Sequence, residues 1–479
     1  MAAVRESKKA CAVNPLKMSQ PLGACYAFLG LHNTMPMMHG SQGCTSFGLV
    51  LLVRHFKEAI PMQTTAMNEV STILGGMDNI EQALLNIKKR ANPALIAIAS
   101  TGLTETKGDD VEGYLRLIRA KHGETLAGTE VVYVSTPDYV GAFQDGWAAA
   151  VKALVDAFAE PVTQRVTGRI GVLPGAHLTP ADLEELRELI EAFGLLAVMV
   201  PDISRSLDGH IPDDFTPTTL GGATLDDIRG LAACEHVIGV GEQMRPALDS
   251  LAARAGVPVT LFERLCGLGA VDALVALLMR LSGKPAPARL KRQRGQLQDA
   301  MLDGHFHLGG KRVAVGAEPD LLFALASVCH EMGAEVAAAV TTTHSPVLEK
   351  VPALEVLIGD LEDLELGAVG CDLLLTHAHG RQSATRLGIP LFRVGIPQFD
   401  RIGAAHQLSI GYRGTRDLIF QLANTFIANM HAHGPEDWPL PVEALAAARG
   451  GTAGACNAGG RCGCGSPAED TVVPILPAC

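Results

Sequence analysis

The chain has 479 residues, of which 48% are hydrophobic and only 4% aromatic, and its formal net charge at pH 7 is −12. This length exceeds what one hydrophobic core organises, so two to four domains are expected, and the acidic balance argues against a nucleic-acid-binding protein. No apolar run reaches the roughly 18 residues of a membrane span, and residues 1–17 lack the apolar segment of a signal peptide. We therefore expect a cytoplasmic protein with reduced cysteines and no membrane or nucleic-acid partner.

Three successive α/β blocks are predicted, each with aliphatic strand-like runs that alternate with helical patterns. The absence of hairpin signals indicates three Rossmann-like domains with mostly parallel sheets. The tail is Gly/Ala-rich and is expected to be disordered. The predicted boundaries are 1–17 for an N-terminal extension, 18–165, 166–288 and 289–449 for the three α/β domains, and 450–479 for the tail.

The first block contains the motif His39-Gly40-Ser41-Gln42-Gly43-Cys44 between two apolar runs, at 27–31 and 47–53. The runs predict buried elements, and the glycines and serine predict a turn that presents the Cys44 thiol as a metal ligand would be presented. The alternative is that Cys44 is a small core residue, as lone buried cysteines commonly are. One thiol cannot hold an iron–sulfur cluster, which normally has four ligands, so further ligands would come from elsewhere.

The remaining elements follow from aliphatic runs and helical periodicity. Thr179, Pro180 and Asp182 are typical of a helix N-terminus. A polar helix is predicted at 289–302, with its charges in solvent. Strands are predicted at 94–99, 130–134, 169–173, 196–200, 237–241, 257–261, 312–315, 335–340, 354–358, 373–375 and 390–394, and further helices at 110–122 and 142–158.

Other candidate sites are less specific. No Gly-x-Gly-x-x-Gly follows any strand, and Gly283-Lys284 lacks the rest of a phosphate-binding loop. His377 and His379 follow the strand at 373–375 and are predicted to be solvated loop residues, with a metal or anion site as the alternative. Cys234, Cys266, Cys329 and Cys371 are predicted to lie in the core, and Cys456, Cys462, Cys464 and Cys479 to be free thiols, with metal binding as the alternative.

Several motifs in a fixed order resemble the β-type subunits of the nitrogenase component 1 family. The likeness covers nearly the whole chain except the tail. It implies three α/β domains in an αβ pair that doubles to an α2β2 heterotetramer. The motifs include residues 20–24, 34–36, 39–44, 54–56, 75–76, 108–110, 136–137, 139–141 and 395–403.

Departures from that family pattern are informative. In catalytic β subunits three cysteines bind the P-cluster, and the matching positions here are Ser19, Cys44 and Gly102. A serine that assists the oxidised cluster is matched by Ala142. The resemblance therefore implies the cofactor-assembly scaffold of this family, where a [4Fe-4S] cluster has three cysteine ligands from the α-type partner and one from the β-type subunit, at the Cys44 position.

The same resemblance implies that the partner chain carries the iron–molybdenum cofactor precursor and that the nitrogenase iron protein docks on the complex. This subunit itself is expected to have no active site. Two alternatives remain open: a β subunit of catalytic nitrogenase or of a protochlorophyllide reductase-type oxidoreductase, and a free-standing α/β protein that binds a small molecule. Whether a molybdenum or a vanadium system is served is also open.

Overall fold

The fold consists of three parallel sheets covered by helices, as the sequence predicts. The computed structural model describes residues 1–9, 15–211 and 213–430. All the predicted strands are present in it, with small shifts at their ends. Residues 1–428 form one unit that contains all three sheets, so the domain boundaries near 165 and 288 stay predictions. The predicted tail and its cysteines lie outside the described residues, as does Cys11.

The first sheet has the strand order β3-β2-β4-β5, and all its strand pairs are parallel. The element before it, β1, belongs to the third sheet. The elements up to the end of this block are β1 (Ala3–Glu6), α1 (Gln20–Leu29), β2 (Thr34–His39), α2 (Gln42–Phe56), β3 (Gln63–Thr64), α3 (Glu69–Leu74), α4 (Met77–Ala91), β4 (Leu95–Ser100), α5 (Gly102–Lys107), α6 (Val111–His122), β5 (Glu130–Val134) and α7 (Phe143–Phe158).

The second sheet has the order β7-β6-β8-β9 and is also parallel. Thr179 caps the helix that crosses from β6 to β7, and its side chain and that of Asp182 form a reciprocal capping box, as predicted. The elements are β6 (Val166–Pro174), α8 (Pro180–Glu191), β7 (Leu196–Met199), α9 (Leu225–Arg229), β8 (Cys234–Val240), α10 (Arg245–Ala255), β9 (Val259–Phe262) and α11 (Leu268–Ser282).

The third sheet has the order β1-β12-β11-β10-β13-β14, again parallel. Its long leading helix, α12, extends beyond the predicted 289–302. The elements are α12 (Ala288–Leu308), β10 (Arg312–Gly316), α13 (Pro319–Glu331), β11 (Glu335–Thr341), β12 (Glu355–Ile358), α14 (Leu361–Gly367), β13 (Leu373–Thr376), α15 (Arg381–Leu387), β14 (Leu391–Arg393) and α16 (Gly411–Met430).

The N-terminal segment is part of this third sheet, although the sequence predicted no element there. Strand β1 pairs with β12 in parallel, from Ala3 opposite Glu355 to Glu6 opposite Ile358. Three residues further on, Nζ of Lys9 lies 2.8 Å from Oδ1 of Asp360, at the N-terminus of α14. A four-residue edge strand carries too little periodicity to be identified by itself, and its pairing partner is some 350 residues away in the sequence.

The order in which strands are added reverses once in each sheet, and the candidate sites are expected at these points. The chain builds outward on one side of β2, β6 and β10 and then continues on the other side, with β4, β8 and β13 respectively. Ligands of such sheets bind beyond the carboxyl ends of the strands, in the crevice where the order reverses. No helix in the described ranges is both long and apolar enough to cross a membrane.

Two glycines allow helices α1 and α7 to cross at very short distance. A Cβ at Gly23 would lie 1.8 Å from the carbonyl oxygen of Phe143, and a Cβ at Gly146 would lie 1.8 Å from that of Gln20. Beside this crossing, the fully buried rings of Tyr26 and Trp147 have centroids 4.9 Å apart. The helix pair supports the α1 and α7 N-termini, both of which start at the carboxyl edge of the first sheet.

We predict opposite effects for two glycine-to-alanine substitutions in helices. Gly146→Ala should destabilise the protein by about 1–3 kcal/mol, because α1 and α7 must move apart. Gly295→Ala, in α12, meets no atom within 4 Å and should stabilise it by about 0.5–1 kcal/mol through its helix propensity. Thermal unfolding of both variants measures the difference. Equal melting temperatures would contradict the close crossing.

Candidate functional site

The carboxyl edge of the first sheet is held together by hydrogen bonds between its loops. The hydroxyl of Thr101 donates to the carbonyl oxygen of His39 over 2.9 Å, and that of Thr104 donates to the same oxygen over 3.1 Å. The amide of Gly40 donates to Oγ1 of Thr65 over 3.1 Å. A Cβ at Gly40 would lie only 2.3 Å from Oγ1 of Thr101, so glycine is required for this approach. These hydrogen bonds and this close approach fix the backbone conformation of the turn before Cys44.

The imidazole of His39 stabilises the start of this turn through two hydrogen bonds on its buried side. Its Nδ1 lies 2.9 Å from Oγ1 of Thr65, and its Nε2 lies 3.3 Å from Oδ2 of Asp109. Asp109 also accepts a 2.6 Å hydrogen bond from Nζ of Lys107. Burial lowers the pKa of His39, while Asp109 acts in the opposite direction. The side chain thus serves as an internal support of the turn, and it is fully shielded from solvent.

Cys44 lies in the first turn of α2, and in this respect the prediction of a loop position was wrong. Ser41 is the N-cap of the helix, and its Oγ lies 3.4 Å from Sγ of Cys44. The thiol is exposed, so the alternative of a core cysteine is excluded. The free amides and the partial positive charge at a helix N-terminus favour anionic groups, which suits a thiolate bound to a cluster.

Among the described residues, Cys44 is the one cysteine that is exposed. Within 1–9, 15–211 and 213–430, no group of three or more His, Cys, Asp or Glu side chains could hold a metal ion. Burial raises the pKa of Cys25, Cys266 and Cys329 to about 12, as is typical of inert core thiols. The structure confirms the core prediction for Cys234, Cys266, Cys329 and Cys371, which are all buried, and Cys25 is buried as well.

The positions that match P-cluster residues start helices at this same edge. Ser19 caps α1 through a 3.3 Å hydrogen bond to its Oγ from the amide of Leu22, Gly102 is the first residue of α5, and Ala142 caps α7. Asp138, which the sequence analysis did not single out, joins two of them. Its carboxylate accepts from the amide of Gln20 over 3.0 Å, and its Cβ lies 3.6 Å from a Cβ built at Gly102.

An exposed apolar surface surrounds the Cys44 helix, contrary to the prediction that residues 47–53 are buried. Phe47 is 71% exposed and Val50 is 51% exposed, because one face of α2 has no covering element in the described residues. Large apolar side chains that are exposed together at one edge are typical of an interaction site. This surface, which we call the apolar rim, comprises Phe47, Val50, Val53, Val70, Ile73, Leu74, Leu103, Tyr139 and Val140 on elements at the carboxyl edge.

His377 and His379 are not solvated loop residues, so that prediction was wrong. His377 is 4% exposed, and its Nε2 lies 3.3 Å from the carbonyl oxygen of Leu16. Burial lowers the pKa of His377 to about 4. His379 is half-buried, and the centroids of its ring and the Phe399 ring lie 5.1 Å apart in a T-shaped arrangement. The segment from Leu16 covers β13 and removes its end from water, which the local sequence could not reveal.

A small cavity lies beyond the carboxyl ends of β6 and β10, and the C-terminal end of α2 also contributes to its lining. Its volume is about 110 Å³, and its lining includes His55, His177, His377 and Glu318. Burial raises the pKa of Glu318 to about 8, and it lowers those of His55 and His177 to about 4. In each case burial disfavours the charged form of the side chain.

Comparisons with known proteins identify a family and several similar sequences. Residues 19–427 match the family described as nitrogenase component 1 type oxidoreductase. The chain is 57% identical over 446 residues to the nitrogenase iron-molybdenum cofactor biosynthesis protein NifN of Bradyrhizobium diazoefficiens, across 92% of this chain and 94% of the relative. It is 50% identical over 452 residues to the protein of the same name from Rhodobacter capsulatus, across 92% and 98%.

A solved structure has the same fold. The structure titled "Nitrogenase Cp1 at pH 6.5" superposes with a TM-score of 0.85 at 32% sequence identity, over 90% of this chain and 97% of that one. The family match and the relatives both span far more than half of the chain. This chain therefore belongs to the nitrogenase component 1 family, and within it resembles the NifN proteins over most of its length.

Proposed function

We propose that this chain is the β-type subunit of the scaffold complex on which the nitrogenase iron–molybdenum cofactor precursor is matured. The names of its relatives in Bradyrhizobium diazoefficiens and Rhodobacter capsulatus support a role in the biosynthesis of this cofactor. In this proposal the precursor itself is carried by an α-type partner, as the resemblance to the cofactor-assembly scaffold implies. The complex works in the cytoplasm.

Within that complex, Cys44 contributes one thiolate to a [4Fe-4S] cluster, and the α-type partner contributes the other three. The observation that carries this assignment is the exposed thiol in the first turn of α2, at the point where the order of the first sheet reverses. When bound, such a cluster supplies one-electron transfer. The chain's own contribution is to fix the thiol through the turn anchored by His39 and Gly40.

The partner covers the apolar rim, and two αβ pairs associate into an α2β2 heterotetramer. The rim lies around the same helix that carries Cys44, so one interface would bury the apolar side chains and complete the ligand set. Docking of the nitrogenase iron protein near this cluster is part of the same proposal, since electrons must reach the cluster from a separate protein.

The composition of the edge favours this function over a catalytic β subunit. Gly102 and Ala142 have no side-chain atom that could bind iron, and Oγ of Ser19 is engaged as the cap of α1. A P-cluster needs several thiolates from this side of the interface, and only Cys44 provides one. With one thiolate from this chain, the residues fit a cluster that is shared between two chains and takes its other ligands from the partner.

We predict that Cys44→Ala, purified together with the α-type partner, loses or weakens the [4Fe-4S] signal, because one iron loses its thiolate. Iron and sulfide analysis and electron paramagnetic resonance spectra measure this. Cys25→Ala is the matched control, since Cys25 is a fully buried residue within α1. The cluster assignment would be abandoned if the iron content and the spectrum of Cys44→Ala equalled those of the unmodified complex.

We further predict that Phe47→Glu prevents stable association with the partner, because it would bury a charge in an apolar interface. Size-exclusion chromatography of co-expressed chains should show the αβ assembly depleted. Leu117→Glu, at a 57% exposed position on α6 outside the rim, is the control and should assemble normally. Normal assembly of Phe47→Glu would rule out the apolar rim as the partner surface.

A further inference from the structure

Two sequence motifs that lie far apart in the chain meet at the C-terminal end of α2. Nδ1 of His55 accepts a 3.0 Å hydrogen bond from the backbone amide of Gln398, 343 residues away, and both residues are buried. The guanidinium of Arg54 lies 4.4 Å from the centroid of the Phe399 ring. The ring of His379 also packs against Phe399, in a T-shaped contact with centroids 5.1 Å apart. Residues Arg54, His55, Gln398 and Phe399 are called the α2 clamp below.

The chemistry of the hydrogen bond requires a neutral imidazole. An Nδ1 that accepts a hydrogen bond carries no proton, so the proton of His55 is on Nε2. Burial lowers the pKa of His55 to about 4, with a smaller effect of Lys57, so the acceptor is present throughout the neutral range. Without it, the amide of Gln398 would be left buried and unpaired, which is strongly unfavourable.

Helix α2 has few other contacts that could fix it. The helix has 15 residues, and only Thr45, Gly48, Leu52, His55 and Phe56 are buried. Its outward face carries three residues of the apolar rim, Phe47, Val50 and Val53. The N-terminal end is fixed by the turn at Gly40, and the C-terminal end by the clamp, which lies roughly 16 Å along the axis from Cys44 at 1.5 Å per residue.

We propose that His55 is a positioning residue for Cys44: through Gln398 and Phe399 it holds α2 on the third α/β layer, so that the thiol is presented in one orientation. This inference rests on the proposed function, because only that function makes Cys44 a cluster ligand whose orientation matters. It assigns a role to the motifs at 54–56 and 395–403, and it makes His379 part of the support for the clamp. An aromatic side chain without an acceptor at position 55 would let the helix loosen from its C-terminal end.

The experiment compares variants of the complex formed with the α-type partner, by hydrogen–deuterium exchange of residues 42–56. His55→Phe should raise the exchange rate of these amides about tenfold or more and reduce the iron content. His55→Asn should restore most of the protection, since its side-chain oxygen can accept from Gln398 near the position of Nδ1. His236→Phe is the control, because His236 is also buried and bonded, over 2.8 Å to Thr260, but lies in the second sheet. It should leave α2 unchanged.

The outcomes separate this inference from the cluster assignment. Exchange is measured in complexes stripped of iron as well as in loaded ones, so the helix measurement does not depend on the cluster. Unchanged exchange in His55→Phe overturns the clamp, even if Cys44→Ala has lost the cluster. Equal loosening of α2 in His236→Phe also overturns it, since the effect would then be global. Loosening in His55→Phe alone supports the clamp, whatever Cys44→Ala shows.

Discussion

The parallel order of the first sheet is the constraint on which the candidate site depends. Parallel strands joined by helical crossovers deliver all their carboxyl ends to one edge, and with them the N-termini of the helices that follow. Four segments that start at Ser19, Ser41, Thr101 and Ala142 therefore converge, although they are spread over more than a hundred residues. The exposed thiol of Cys44 is one consequence of this convergence, and it is the one exposed thiol in the part of the chain that the structure describes.

Close backbone approaches make this edge rigid. Gly40 passes Thr101 at a distance that no side chain would allow, and Gly76 does the same beside the ring of His39, where a Cβ would lie 2.4 Å from Cε1. Hydroxyl groups then connect the neighbouring loops. A ligand for a shared cluster must be held in place before the second chain arrives, because each flexible group ordered on association weakens binding. The glycines supply that rigidity.

The two sides of the edge differ in polarity for a physical reason. Inside, burial disfavours the charged forms of the histidines and Glu318 around the central cavity. Outside, the apolar rim exposes large side chains such as Phe47 to water, which costs free energy unless another surface covers them. The groups around the cavity are covered by other parts of this chain, whereas the exposed apolar rim is suited to contact with a partner. This asymmetry is typical of a subunit that supplies half of a site.

The sequence by itself determined the α/β class, the positions of the strands, the Thr179 helix start and Cys44 as the candidate ligand, because strand runs, caps and short motifs are local signals. Tertiary structure decided what depends on distant partners. Strand β1 exists through its pairing with β12, and His377 is buried by the segment at Leu16. The run at 47–53 is as hydrophobic as a core helix, and only the placement of α2 shows that one face of it stays exposed. Hydrophobicity records that a surface must be covered, but not whether this chain or another covers it.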